Sequence, residues 1–393
     1  GGLVAANRAR KRLGREHRVV LVERRDEFFF APSYLWIMVG TRRPVQTRRA
    51  LRSMLAPGVE LMRGEVSHID PAGHKVGVEG QEVSFDYLVV ALGAELAPQA
   101  TPGFQEAALN FYEADGAAKV LSALRGLSSG HVAIAVCGTP YKCPAAPWEA
   151  ALLVDDFLRR NGKRSKVNVS VFTPEPAPMP VAGPAIGKMV TELLSQRGIE
   201  VHFNTPSAGF DPAGRKLLLK DGTSHPFDVA LGVPAHKSPA SVAASSIAGP
   251  TGWASVDGRT LETSTPGVFA IGDVASITLA NGKPLPKAGV FAHAQAHVVA
   301  NTIAARIEGS SPPIVFDGAG WCFLETGAGR AGFASGNFYA QPDPQVEMRD
   351  VGRRWHWGKE LLDWHWMGGG LRRSLAGLAL AAGSRLFKVP MEL

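Results

Sequence analysis

The chain has 393 residues and a mass of 41.7 kDa, with 45% apolar and 20% charged residues. That is enough for two domains or more at roughly 100–200 residues each, and it excludes a disordered tail, a collagen-like chain and a disulfide scaffold. No apolar run reaches the ~18 residues of a spanning helix. The net charge of 42 − 35 = +7 is uneven: residues 1–63 hold 14 Lys/Arg against 5 Asp/Glu, and the rest sums to −2. A basic face attracts phosphates, acidic lipid or an anionic substrate, and it equally suits a solvated helix surface. Nothing in the motifs points to nucleic acid.

GGLVAANRARKRLG followed by HRVVLVER predicts a helix running into a buried strand that ends at Glu23. This is the second half of a dinucleotide-binding βαβ unit. Gly1 and Gly2 are the tail of its glycine-rich turn, Glu23 is the acid for ribose hydroxyls, and the first strand is expected to be missing from the chain. Short alternating strands follow, including the one with Val66, then a buried strand over 87–91 ending at Gly93. STPGVFAIGDVA repeats that logic, with Gly272-Asp273 just past a strand, where an Asp can meet ribityl hydroxyls or a pyrophosphate. One strand-Gly-Asp is commonly a loop; three in order are far more specific.

The strand 131–136 is followed by Cys137-Gly138-Thr139-Pro140-Tyr141-Lys142-Cys143-Pro144, where a second glycine fingerprint would stand. Two prolines, a tyrosine and a lysine replace the glycines that pyrophosphate approach requires. The next strand ends in Thr173-Pro174 rather than an acid, so this part reads as a nucleotide fold that has lost NAD. Three cysteines are too few for a disulfide framework and lack metal-ligand spacing. Cys143 precedes a helix predicted over 147–160. The helix N-terminus and Lys142 are expected to depress its thiol pKa, whereas Cys137 reads as a small buried hydrophobe.

Near the end, Trp355, Trp357, Trp364 and Trp366 fall among basic residues. LRRSLAGLALAAGSRLFK then places Leu371, Leu375, Leu378, Ala382 and Leu386 on one helical face. That composition suits an anchor in the headgroup region, and the alternative is a helix packed on the protein body or on a dimer partner. The segment from 353 on is expected to be separable from the cysteine chemistry.

YKCPAAPWEAALL, FAIGD, PKAGVFAHAQAHVVA and Cys322 in GWCFLETGAGRAGF carry a resemblance to the two-dinucleotide-domain flavoproteins related to disulfide reductases. Within them the chain resembles the sulfide:quinone oxidoreductase and flavocytochrome c sulfide dehydrogenase branch. The resemblance implies an α/β fold with two Rossmann-like, glutathione-reductase-type domains, one inserted in the other, plus a C-terminal amphipathic module. Residues 1–112 and 246–322 would form the FAD domain, 113–245 the inserted domain, and 323–393 the C-terminal module. Gly1, Gly2, Glu23, Val66, Gly93, Gly272, Asp273 and Lys287 would bind FAD. Lys287 would also hold charge near the flavin pyrimidine ring, or near the quinone. Cys143 and Cys322 would carry the redox disulfide, and Glu149 would accept a proton. Sulfide would attack the disulfide, leaving a persulfide, and two electrons would pass through FAD to a membrane quinone.

The stretch 28–34 has no cysteine for covalent attachment, so FAD should be non-covalent. The third cysteine of many relatives is replaced by Phe111-Tyr112, which leaves the route of sulfur release open. A flavoprotein subunit serving a cytochrome, a type-2 NADH:quinone dehydrogenase and a non-turning redox sensor are the competing readings. The expected setting is a homo-oligomer at the membrane periphery, with the cytoplasmic face favoured.

Overall fold

The computed structural model describes residues 1–311, 314–389 and 391. Its largest sheet is parallel, in the order Ala108–Asn110, Val229–Val233, Gly130–Val136, Val167–Phe172, Glu200–His202. The central strands are near-continuous apolar runs because both faces are covered. Val132, Ile134, Val136, Val171 and Leu231 are buried with Val120 and Leu124 of the helix Ala114–Gly126 and Val190 and Leu194 of the helix Pro184–Ser195. The helix Ala146–Arg160 is buried on almost every side, since it lies between this sheet and the strand Ala319–Gly327.

Two smaller parallel ladders form the dinucleotide side. Val19–Glu23 pairs with Val59–Arg63, and Leu88–Val90 pairs with Val268–Ala270. The helices Gly2–Arg12 and Gly289–Ile307 pack together beside them, with Ala5 buried among Phe269, Ile271, Ala296 and Val299. Each side carries a three-stranded antiparallel meander, one from Val66 to Ser84 and one from Ser207 to Pro226. The fold is mixed α/β of the dinucleotide-binding kind, as expected.

The last part is an antiparallel sheet, Ala319–Gly327, Arg330–Asn337 and Gln345–Gly352, followed by the helices Arg353–Met367 and Gly370–Phe387. Side chains alternate across a strand. Trp321 and Phe323 face the cluster of Phe333 and Trp355, while Leu324 joins the core around the Ala146–Arg160 helix. Cys322 shares the Leu324 face and so points to the same side as that helix. Of the four tryptophans grouped near the end, Trp357 and Trp364 are exposed, whereas Trp355 is buried against Phe333 and Trp366 stacks on Phe28. Leu371, Leu375, Leu378, Ala382 and Leu386 are all exposed on the last helix, and Ala376 and Leu380 are its buried side. Among the described residues, no helix is long and apolar enough to cross a membrane.

Candidate functional site

A groove of about 2820 Å³ runs between the two parallel ladders. Gly1, Gly2, Glu23, Val66, Gly93 and Asp273, six of the eight residues assigned to the cofactor, line it; Gly272 and Lys287 do not. Its glycines have physical reasons to be glycine. A Cβ on Gly1 would sit 3.2 Å from Ile271, and one on Gly272 would meet the Ala292 side chain at 2.9 Å. Gly93 and Gly272 both adopt left-handed φ, at 71° and 73°, where other residues are strained. Gly272 N donates to Gln295 Oε1 at 2.7 Å, fixing the turn against the helix Gly289–Ile307.

Lys287 is nearly buried at 8% exposure. Its Nζ donates to the Asp273 carbonyl at 2.5 Å and stands 3.6 Å from the centre of the Trp253 ring. Burial lowers its pKa to about 8, against the pull of the Asp273 carboxylate. Burial also raises the Asp273 pKa, opposed by Lys142 and Lys287. A cation that can lose its charge near neutral pH thus contacts Asp273, which lines the groove.

The cysteine turn is tied to that lysine through the backbone. Lys142 and Lys287 form a parallel bridge, and Cys143 N donates to Lys287 O at 2.7 Å. Cys143 is held at a left-handed φ of 53°, a costly conformation for a residue with a Cβ. The three cysteines are free thiols here.

Cys143 departs from expectation in one respect: its thiol is pushed up to about 12 rather than depressed. Burial is the largest cause and the Glu149 charge adds to it, while Lys359 and the N–H groups of Ala146 and Ala145 pull the other way. Desolvation therefore exceeds the helix N-terminus, and burial also lowers the Lys142 pKa, opposed chiefly by the Asp273 charge. Cys322 is open to solvent yet ringed by protein, and burial, then the charges of Cys143 and Glu149, hold its thiol well above the usual range. The coupling places both sulfurs in one electrostatic centre. Cys137 lies away from it: burial pushes it up to about 12, and Thr101 and Ser207 are its polar neighbours.

Glu149 is 2% exposed rather than on a solvated helix face. Its Oε1 accepts from Glu325 N at 2.8 Å and from Lys359 Nζ at 2.9 Å. Burial raises the Glu149 pKa against both partners. Burial also works against the Lys359 ammonium, but Glu149 and Glu325 outweigh it and keep the lysine charged. Glu325 in turn accepts from His356 Nδ1, 3.0 Å from either oxygen. Lys359 and His356 stand one turn apart on the helix Arg353–Met367, so the C-terminal segment is part of the cysteine centre and is not separable from it. The same helix is pinned to the early chain by Ser33 Oγ donating to Asp363 Oδ1 at 2.5 Å and by Arg42 bridging Asp363 and Glu360. Sequence reading missed Lys359, Glu325 and His356, because a lysine in a Trp- and Arg-rich stretch carries no mark of burial.

Residues 1–297 match the pyridine nucleotide-disulphide oxidoreductase family. The chain belongs to that family. It is an oxidoreductase of the FAD-binding flavoprotein kind, and its likeness runs to the sulfide:quinone oxidoreductase branch. It is 27% identical over 360 residues to the mitochondrial sulfide:quinone oxidoreductase of Mus musculus, covering 87% of this chain and 77% of that protein. The sulfide-quinone reductase of Aquifex aeolicus is 25% identical over 374 residues, covering 91% and 85%. The crystal structure of the sulfide:quinone oxidoreductase from Aquifex aeolicus superposes with a TM-score of 0.83 at 22% identity, covering 100% of this chain and 94% of that one.

Proposed function

We infer that this flavoprotein oxidises sulfide through a disulfide between Cys143 and Cys322 and passes two electrons, by way of FAD, to a membrane quinone. The observation that carries the reading is the joint geometry of the cysteine turn. Cys143 is bonded through its N–H to Lys287, the residue that reaches Asp273 at the groove, and its charge is felt by Cys322. The names of the relatives in mouse and Aquifex support the substrate pair.

The residues of the groove fit FAD. Gly1 and Gly2 allow close backbone approach, Glu23 and Asp273 offer carboxylates for ribose and ribityl hydroxyls, Val66 and Gly93 line the walls, and Gly272 shapes the turn that carries Asp273. Bound there, FAD supplies a carrier that takes two electrons from sulfur and releases them to a quinone. Lys287 supplies positive charge beside Asp273. Glu149 holds or releases a proton between Lys359 and the cysteines. Residues 28–34 contain no cysteine, which suits non-covalent binding.

A nicotinamide donor is disfavoured by the inserted domain, here assigned to 113–245, with 1–112 and 246–322 holding FAD and 323–393 following. Where a second glycine turn would cradle phosphate, Tyr141 is buried and donates its hydroxyl to Glu175 at 2.7 Å. That bond occupies the acid nearest the strand end, which the sequence reading had passed over. The exposed leucine face of the last helix, with Arg372 set 4.4 Å over the exposed Trp364, suits the membrane surface where a quinone dissolves. The test is anaerobic titration of the FAD-loaded protein with sulfide and, separately, NADH. Sulfide should bleach the flavin and NADH should not; rapid stoichiometric reduction by NADH would overturn the reading.

A further inference from the structure

Beside the cysteine turn, two polar atoms are buried with no hydrogen-bond partner: Tyr112 Oη and His236 Nε2. They sit where the chain passes between the two parallel systems. Tyr112 follows the strand Ala108–Asn110, its N–H donating to Asn110 Oδ1 at 3.0 Å. His236 lies in the strand Ala235–Lys237, paired antiparallel with Glu95–Ala97. The two rings meet edge to face, 5.3 Å between centres at 79°. Tyr112 and Lys142 also line the groove, so this corner borders it on the Tyr112 side. Orphan polar groups are expensive to bury, and two of them on rings in edge contact point to a small polar ligand.

The protonation state follows from the bonds. His236 Nδ1 is 2.8 Å from the Pro234 carbonyl, which can only accept, so Nδ1 carries the hydrogen and Nε2 keeps its lone pair. Burial, then the charge of Lys142, holds this ring neutral with its pKa lowered to about 4; the Pro234 bond opposes the shift and Lys287 adds to it. Burial, then the charges of Cys143, Glu149 and Glu175, keeps the Tyr112 phenol protonated. The corner therefore presents one acceptor and one donor. A molecule that fits has one hydrogen to give and a lone pair to receive another, as hydrogen sulfide has.

We propose that Tyr112 and His236 form the entry subsite for hydrogen sulfide, with its S–H donating to His236 Nε2 and its sulfur accepting from Tyr112 Oη. This rests on the sulfide reading above. As the incoming sulfur bonds to Cys143, the Cys143–Cys322 bond breaks and its electron pair stays on Cys322 as thiolate. The incoming sulfur is oxidised, the disulfide is reduced, and the lost proton goes to His236 Nε2. A weak base suffices, because the Cys322 thiolate formed in the same step binds protons tightly.

The test is stopped-flow flavin bleaching by sulfide in the full-length, FAD-loaded protein, wild type against His236→Phe and Tyr112→Phe, across pH 6–9. His236→Phe should slow bleaching about 100-fold at the acid end, the size of a lost general base. It should recover as pH rises and sulfide arrives already as hydrosulfide. Tyr112→Phe should raise the half-saturating sulfide concentration while the limiting rate holds. Dithionite reduction and FAD content should match wild type in both. A His236→Phe variant that tracks wild type or loses the same factor at every pH, or a Tyr112→Phe variant whose half-saturating sulfide concentration is unchanged, overturns the subsite. A wild-type flavin that sulfide leaves unbleached overturns the sulfide reading and the subsite with it.

Discussion

Removing the ammonium of Lys359 is the sharpest perturbation of the buried network. Lys359 is 5% exposed, 2.9 Å from Glu149 Oε1, and its Nζ stands 5.2 Å from the centre of the Trp36 ring. Lys359→Met keeps the stem's volume and leaves Glu149 with only the Glu325 N–H as a partner. Breaking one side of a buried pair costs about 3–5 kcal/mol. Burial already raises the Glu149 pKa with the lysine present, and its loss must raise it further. A folded-state pKa above the unfolded one means the folded protein binds the extra proton. Stability is then intact below the ordinary glutamate range and is lost as pH rises through the folded value. The variant should keep losing stability with pH where wild type has levelled off, by up to about 1.4 kcal/mol per pH unit. Urea denaturation at pH 5 and 8 measures this. The double variant Glu149→Gln/Lys359→Met, which buries no lone charge, should recover most of the loss. Single and double variants equally stable at both pH values would refute the reasoning.

Other outcomes follow from the same geometry. Cys143→Ser and Cys322→Ser should each retain FAD and lose sulfide-driven bleaching, while Cys137→Ser, remote from the centre, should cost little; absorbance titration reads all three. Leu371→Glu with Leu378→Glu should weaken co-sedimentation with anionic liposomes and slow quinone reduction. Bleaching by sulfide should persist in that variant, because both leucines are exposed and neither belongs to the cysteine centre. Unchanged sedimentation would make the last helix a packing element.

The parallel strands, the glycine turns and the outward face of the last helix were legible because each is a local pattern. Runs such as Val167–Phe172 need only their own apolar continuity to be read, and Gly272 announces itself by its position after a buried strand. The Glu149–Lys359 pair was not legible, since 210 residues separate its members and neither carries a local mark of burial. The Cys143 thiol was misjudged for a related reason. A helix N-terminus and a neighbouring lysine are visible in sequence, but the desolvation that outweighs them depends on packing from the strand Ala319–Gly327 and the helix Arg353–Met367. Tyr112 and His236 lie 124 residues apart, and only the fold brings their rings into contact, each with an unsatisfied atom.

High thiol pKa values also constrain the redox couple itself. With Cys143 pushed up to about 12 and Cys322 held higher than an ordinary thiol, the reduced centre is a dithiol across the neutral range. Lys359, whose charge reaches both sulfurs, is already paired with Glu149 and has little charge to spare for a thiolate. Reduction of the disulfide by two electrons therefore takes up two protons. For a two-electron couple each tenfold change in equilibrium constant is about 30 mV, so two protons give about 59 mV per pH unit, the potential falling as pH rises. Ordinary thiols ionise near pH 8.5, and above that the slope flattens. This centre should hold the full slope past that pH, because burial raises both thiols. Redox titration of the cysteines in glutathione buffers, read by thiol labelling at pH 6 to 10, measures it. A slope that halves or vanishes above pH 8.5 would show that at least one thiol is ionised, and that burial does not govern the chemistry of the pair.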